Sequence, residues 1–163
     1  MTRIITSFFG SGFLPIAPGS WGSLAAIPFA IVIYALGGFL ALVAATIVVF
    51  AVGLWAVQQR TAGMADPDLS EIVIDEVVGQ GIALFSLAGG LWWLRSEVIW
   101  LPWPGLIFGF VFFRLFDILK PYPCNKLDQL KTPLGVMADD VVAGLYAAII
   151  TGVTGAVAHG YVS

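Results

Sequence analysis

The amino-acid sequence predicts an all-α fold, a polytopic membrane bundle of about five membrane-associated helices that opens on an N-terminal helical hairpin. Three observations predict it. Hydrophobic residues make up 60% of the chain and charged residues only 10%, with a mean hydropathy of +0.98, whereas a soluble domain carries roughly 25% charge. Uncharged stretches cover residues 4–59, 77–94, 98–113 and 141–163, and a bilayer core takes about 20 apolar residues per helix. Glycine and proline fall where such helices would have to turn. The length of 163 residues suits one domain, 1–163.

The first uncharged stretch is too long for a single crossing, so it is expected to fold back on itself. Residues 24–36 and 39–57 form the two arms, with Gly37-Gly38 as the turn. Pro28 falls early in the first arm, where a missing amide is best tolerated. This stretch is not expected to be a signal peptide, because no basic segment leads straight into a short apolar core. A third helix is predicted over 77–94, a fourth over 104–119 and a fifth over 140–158. Pro121 and Pro123 stop the fourth, since proline cannot continue the backbone ladder.

Positive charge orients the bundle. With the N-terminus inside, Arg3, Arg60, Arg114, Lys120, Lys126 and Lys131 lie at the cytoplasmic face, and only Arg95 lies outside, beside Glu97. Tryptophans prefer the membrane interface. Trp92, Trp93, Trp100 and Trp103 surround the outer turn, while Trp21 and Trp55 fall at the inner ends of the hairpin. The five-helix count places the C-terminus outside. A net charge of −3 without a basic run excludes nucleic acid as a partner. Cys124 is the only cysteine, so no internal disulfide forms, and it reads as a small filler.

Charge is scarce here, so its placement is informative. In "DPDLSEIVIDEVVG", Glu71 and Asp75 are spaced to share a helix face and Glu76 stands at the lip of the third helix. Loop solubility and capping account for Asp66 and Asp68. Asp75 and Glu76 touch a long uncharged run, where carboxylates are costly and mark sites. Asp66, Asp68 and Ser70 imitate the nucleophile motif of haloacid-dehalogenase-type phosphatases, but the βαβ pattern that motif needs is missing, so the match is set aside. In "FRLFDILKPYPCNKLD", Arg114, Asp117 and Lys120 step by three along one helix end. Snorkelling to headgroups would explain them, except that Pro121 and Pro123 fix the chain just past Lys120, and a fixed cation suits an anionic substrate.

In "GVMADDVVAG", the adjacent carboxylates of Asp139 and Asp140 repel one another at the start of the last helix. A hard cation such as Mg²⁺ relieves that repulsion. In "GSGFLPIAPGSWGSL", Ser20 and Ser23 are placed to cap the first helix while Gly19 and Gly22 let backbone amides approach an anion. Carboxylates for Mg²⁺, cations for phosphate oxygens and a helix N-terminus on one membrane face suit phosphoryl chemistry on a lipid headgroup. The only histidine is His159, on the opposite face. A mechanism of the phosphatidic-acid phosphatase type 2 kind, which uses two histidines, is thereby excluded.

"APGSWGSL", "EIVIDEVVGQ", "FRLFDILKPYP" and "GVMADDVVAG" resemble, in order and spacing, the phosphatidylglycerophosphatase A family. The resemblance implies an all-α, Mg²⁺-dependent lipid phosphatase of the bacterial inner membrane. Its expected reaction converts phosphatidylglycerophosphate to phosphatidylglycerol and inorganic phosphate. It further implies that Asp75, Glu76, Asp139 and Asp140 hold the metal. Arg114 and Lys120 would bind the phosphate, with Gly19, Ser20 and Ser23 at the helix end, and Asp117 would ligate metal or orient Lys120. Asp75, Asp117, Lys120 and Asp140 are the expected catalytic set, and the nucleophile is either an activated water or an aspartate that becomes phosphorylated. Two positions depart from the family pattern: Ser20, where threonine is more usual, and Thr132-Pro133 in "KTPLGVM", in place of a more glycine-rich lead-in.

Two rival readings are weaker. A CDP-alcohol phosphotransferase, another Mg²⁺-dependent phospholipid headgroup enzyme, would carry a D-G-x-x-A-R signature that is missing here. A small ion-coupled transporter would place charge in mid-span, whereas these charges map to span ends.

Overall fold

A computed structural model describes residues 1–162 and, among them, finds helices and no strand. In chain order these are α1 (Thr2–Thr6), a 3₁₀ turn (Ser11–Phe13), α2 (Pro18–Arg60), α3 (Ile74–Ala83), α4 (Phe85–Trp93), α5 (Trp103–Leu119), α6 (Cys124–Asp128) and α7 (Pro133–Val162). The His159 side chain, expected on the far face, lies outside the described residues.

Run straight, the 43 residues of α2 would reach about 65 Å, twice the roughly 30 Å of a bilayer core. The helix instead folds back at Gly38, whose φ of 68° and ψ of −159° only glycine adopts freely. Both arms then return to the start of α3. Gly22 of the first packs on Val73, and Gly53 of the second packs on Ile74 and Met137. Ala26 and Val57, one from each arm, share a buried cluster with Ile74, Val77 and Met137. The hairpin tip is covered from the far end, where Phe39 packs on Phe85 and Trp92 and the Tyr34 hydroxyl donates to the Val98 carbonyl at 3.4 Å.

α3 and α4 break at the fully buried Leu84 but together run Ile74–Trp93, long and apolar enough to cross a membrane, as are Pro18–Arg60 and Pro133–Ala158. The shorter α5, 17 residues, lies against α7 around Phe113, Ala143, Ala147 and the buried Cys124. Large apolar side chains such as Leu36, Leu40, Ile47, Ile118 and Ile149 are exposed, the surface a lipid-solvated bundle presents.

Three helices begin well before the residues the sequence predicts, α2 at Pro18 rather than 24. α3 starts at Ile74 rather than 77, so Asp75 and Glu76 occupy its first turn. α7 starts at Pro133 rather than 140. Thr132 explains that start: its hydroxyl accepts from the Gly135 amide at 3.0 Å, and Pro133 follows where a missing amide costs nothing. Glu71 precedes α3 and shares no helix face with Asp75. Its carboxylate pairs with Arg60 and Arg3, tying the N-terminal segment to the end of α2. Ser20 and Ser23 do not cap the first helix, because α2 begins at Pro18 with Ala17 before it. Ser23 is buried and its hydroxyl donates to the Gly19 carbonyl at 2.9 Å.

Candidate active site

Glycine brings the acidic helices together. A Cβ on Gly144 of α7 would land on the Gly79 carbonyl of α3, and one on Gly79 would overlap the Phe113 ring and the Asp140 carbonyl. Bare backbone at both positions lets α3 and α7 approach as small residues do in membrane bundles. Asp75 and Glu76 thereby meet Asp140, and oxygens from the three carboxylates lie within 4.8 Å of one another. Asp139 is next in sequence but about 100° away around α7, and it faces Lys120 instead.

Lys120 ends α5 in the left-handed region, φ 43° and ψ 59°, a conformation unusual for a residue with a side chain. Its ammonium is held between Asp139 and Asp128, donating to the latter at 2.8 Å. Burial opposes the charge, but the hydrogen bonds to Asp128 and Asp139 more than offset it, so the pKa lies above that of an ordinary lysine. Six residues earlier, Arg114 pairs with Asp117 at 2.5 Å and reaches toward Glu76 at 3.9 Å. Asp117 therefore orients Arg114 rather than Lys120. The Arg114 Nε atom and Glu76 Oε2 are buried without a hydrogen-bond partner, polar capacity that a bound group would satisfy.

These side chains line one cavity of about 220 Å³, roofed by Ala17, Pro18 and Gly19 at the start of α2. A Cβ on Gly19 would overlap the Glu76 carboxylate, so a side chain here would push Glu76 from its place in the cavity. Ser20 and Ser23 are not among the lining residues. Asp68, Ser70 and Asp128, to which the sequence assigns no site role, also line the cavity. Asp68 is turned there by its own amide, which donates to Asp66 Oδ1 at 3.1 Å, while Asp66 is clipped to Lys131 at 3.0 Å. Asp128 carried one available signal, its place just beyond the proline turn that fixes Lys120.

The cavity lining holds seven carboxylates, Asp68, Asp75, Glu76, Asp117, Asp128, Asp139 and Asp140, against the two cations Arg114 and Lys120. A phosphate dianion would be repelled from such a surface unless a further cation stood beside it. The donor set is all oxygen, which suits Mg²⁺, and the convergence of Asp75, Glu76 and Asp140 with an unpartnered Glu76 oxygen fits an ion at that point.

Comparison with known proteins identifies the family. The profile of one family, described as phosphatidylglycerophosphatase A, matches residues 4–154. The chain belongs to the phosphatidylglycerophosphatase A family. A phosphatidylglycerophosphatase A from Haemophilus influenzae is 37% identical over 143 residues, 87% of this chain and 81% of that protein. One from Escherichia coli is 37% identical over 145 residues, 86% of this chain and 75% of that protein. A Bacteroides thetaiotaomicron protein, whose name provisionally gives it phosphatidylinositol-3-phosphatase activity, is 38% identical over 154 residues, 92% and 91% of the two chains. No solved structure matches. Membership of the phosphatidylglycerophosphatase A family makes the chain a hydrolase of the phosphatase class.

Proposed function

We propose that the chain hydrolyses phosphatidylglycerophosphate to phosphatidylglycerol and inorganic phosphate, with Mg²⁺, at the cytoplasmic face of a bacterial inner membrane. One observation carries the reading: a carboxylate cluster and two cations line a single cavity at the ends of apolar helices, the depth of a lipid headgroup. Family membership supports the substrate. The grouping of Arg3, Arg60, Arg114, Lys120, Lys126 and Lys131 in the segments predicted to face inward supports the cytoplasmic side.

In this reading Asp75, Glu76 and Asp140 hold the metal, and Asp139 ties that side of the cavity to Lys120. Bound there, Mg²⁺ supplies Lewis-acid polarisation and offsets the charge of the phosphate dianion. Arg114, oriented by Asp117 through Nη1, donates its unpartnered Nε hydrogen to a phosphoryl oxygen. Lys120 stands over the leaving glycerol oxygen and stabilises the charge that develops as the P–O bond breaks. The amide of Gly19 adds a donor at the positive end of α2. Asp75 and Asp140 are the carboxylates assigned to the attack, either taking the proton of the incoming water or carrying the phosphoryl group until water releases it.

The test is phosphate release by the purified protein in detergent micelles from phosphatidylglycerophosphate, phosphatidylinositol 3-phosphate and phosphatidic acid. Preferential release from phosphatidylglycerophosphate is expected. Preference for the inositol lipid would move the substrate assignment to the activity in the name of the Bacteroides relative, and release from none would refute the reading.

A further inference from the structure

A second hollow, of about 280 Å³, opens beside the charged cavity and is lined by Phe116, Pro121, Tyr146, Ile149 and Ile150. Its lining is apolar, unlike that of the first. The two linings adjoin in sequence: Phe116 is next to Asp117 and Pro121 next to Lys120, both of the charged cavity. α7 also contributes to both linings. Asp139, Tyr146 and Ile150 recur at helical spacing and so lie on one stripe of that helix.

At about 1.5 Å per residue, Tyr146 lies roughly 10 Å and Ile150 roughly 16 Å beyond Asp139, in the direction that leads away from the charged end. The groove is built rather than incidental. Phe116 and Tyr146 meet edge to face, with centroids 5.6 Å apart, and the Tyr146 hydroxyl donates to the Tyr122 carbonyl at 2.9 Å. Ile149 and Ile150 are 60% and 39% exposed, so the groove opens sideways on the lipid-facing surface.

A phospholipid whose phosphomonoester lies in the charged cavity must send its acyl chains in the same direction, toward the bilayer centre. We infer that this α5–α7 groove seats an acyl chain of the lipid substrate, which makes it a second binding subsite and a determinant of chain-length selectivity. The inference rests on the lipid-phosphatase reading of the neighbouring cavity. The groove acts in binding alone: Phe116, Tyr146, Ile149 and Ile150 offer methylene contacts, and no proton or phosphoryl transfer passes through them.

The experiment measures phosphate release from dioleoyl and dihexanoyl phosphatidylglycerophosphate by the wild-type protein, Ile150→Trp and Ile149→Trp. Both substitutions face lipid, so folding is expected to survive, and thermal unfolding in detergent checks it. Ile150→Ala, which only shortens a lining side chain, serves if either tryptophan variant fails to fold. Filling the groove should raise KM for the dioleoyl ester about tenfold, the worth of roughly two methylene contacts, with kcat within about twofold. The dihexanoyl ester should be hydrolysed as by wild type. Ile150→Ala should raise KM for the dioleoyl ester more weakly, by about threefold.

Equal changes with both esters, or none with either, would make the groove a seat for bystander membrane lipid and overturn the inference while leaving the activity intact. A wild-type protein that releases phosphate from neither ester would instead refute the activity itself, and the groove's assignment to substrate with it.

Discussion

Lys120→Met separates a phosphate-binding lysine from a structural one. The substitution keeps the stem that packs at the end of α5 and removes the ammonium. Two consequences follow from the geometry. Asp139, whose side chain is 6% exposed, loses its partner, and a buried carboxylate left unpaired costs about 1–3 kcal/mol of stability. The lower part of that range applies, because Lys120 is itself 31% exposed and solvent screens part of the pair. Separately, losing one preorganised electrostatic contact to the reacting group costs about 10²- to 10³-fold in turnover.

The two losses can be uncoupled. Lys120→Met/Asp139→Asn removes the orphaned charge and should recover most of the lost thermal stability, while phosphate release stays at least about 10²-fold down. Lys126→Met and Lys131→Met should behave as wild type, since Lys131 is bound only to the exposed Asp66 and Lys126 does not line the cavity. The assay is phosphate release from phosphatidylglycerophosphate micelles, paired with thermal unfolding of each variant. If Lys120→Met turns over like the other two lysine variants, or if activity returns together with stability in the double mutant, the substrate-binding role is wrong. Lys120 is then a structural cation.

Two further outcomes follow from the packing and the charge map. Gly144→Ala places a methyl group against the Gly79 backbone; it should destabilise by about 1–3 kcal/mol and depress activity by parting Asp140 from Asp75. Gly155→Ala, with open space around it, should do neither, and a normal melting temperature for Gly144→Ala would contradict the close approach of α3 and α7. Single cysteines near Asp68 or Lys126, in a Cys124→Ala background, should resist a membrane-impermeant thiol reagent in intact cells, and labelling from outside at either place would overturn the orientation.

The hairpin was legible because its cause is local: an uncharged run too long for one crossing, with a glycine pair where the chain must reverse. Helix starts were less so. Charge does not mark them, because Thr132-Pro133 caps α7 well before Asp139 and Asp140 and Ile74 opens α3 ahead of its acids. The convergence of acidic residues could be anticipated from their position at helix ends. Which acid faces which partner could not, because neighbours on a helix point about 100° apart. That rotation sends Asp140 to Asp75 and Glu76 and leaves Asp139 to Lys120. Asp128 and Asp68 joined the cavity through a short helix and a turn whose paths depend on tertiary packing, and Glu71 was drawn away from it by Arg60.

The central claim is that the carboxylate cluster serves a divalent cation in the hydrolysis of a lipid phosphomonoester. Its most direct test is phosphate release from phosphatidylglycerophosphate by the purified protein, first in chelator and then with Mg²⁺ restored, for wild type and Asp140→Asn. The account predicts no release in chelator, recovery in wild type with Mg²⁺, and little recovery in a folded Asp140→Asn protein. Equal release in chelator and in Mg²⁺, or full activity of Asp140→Asn, would contradict it.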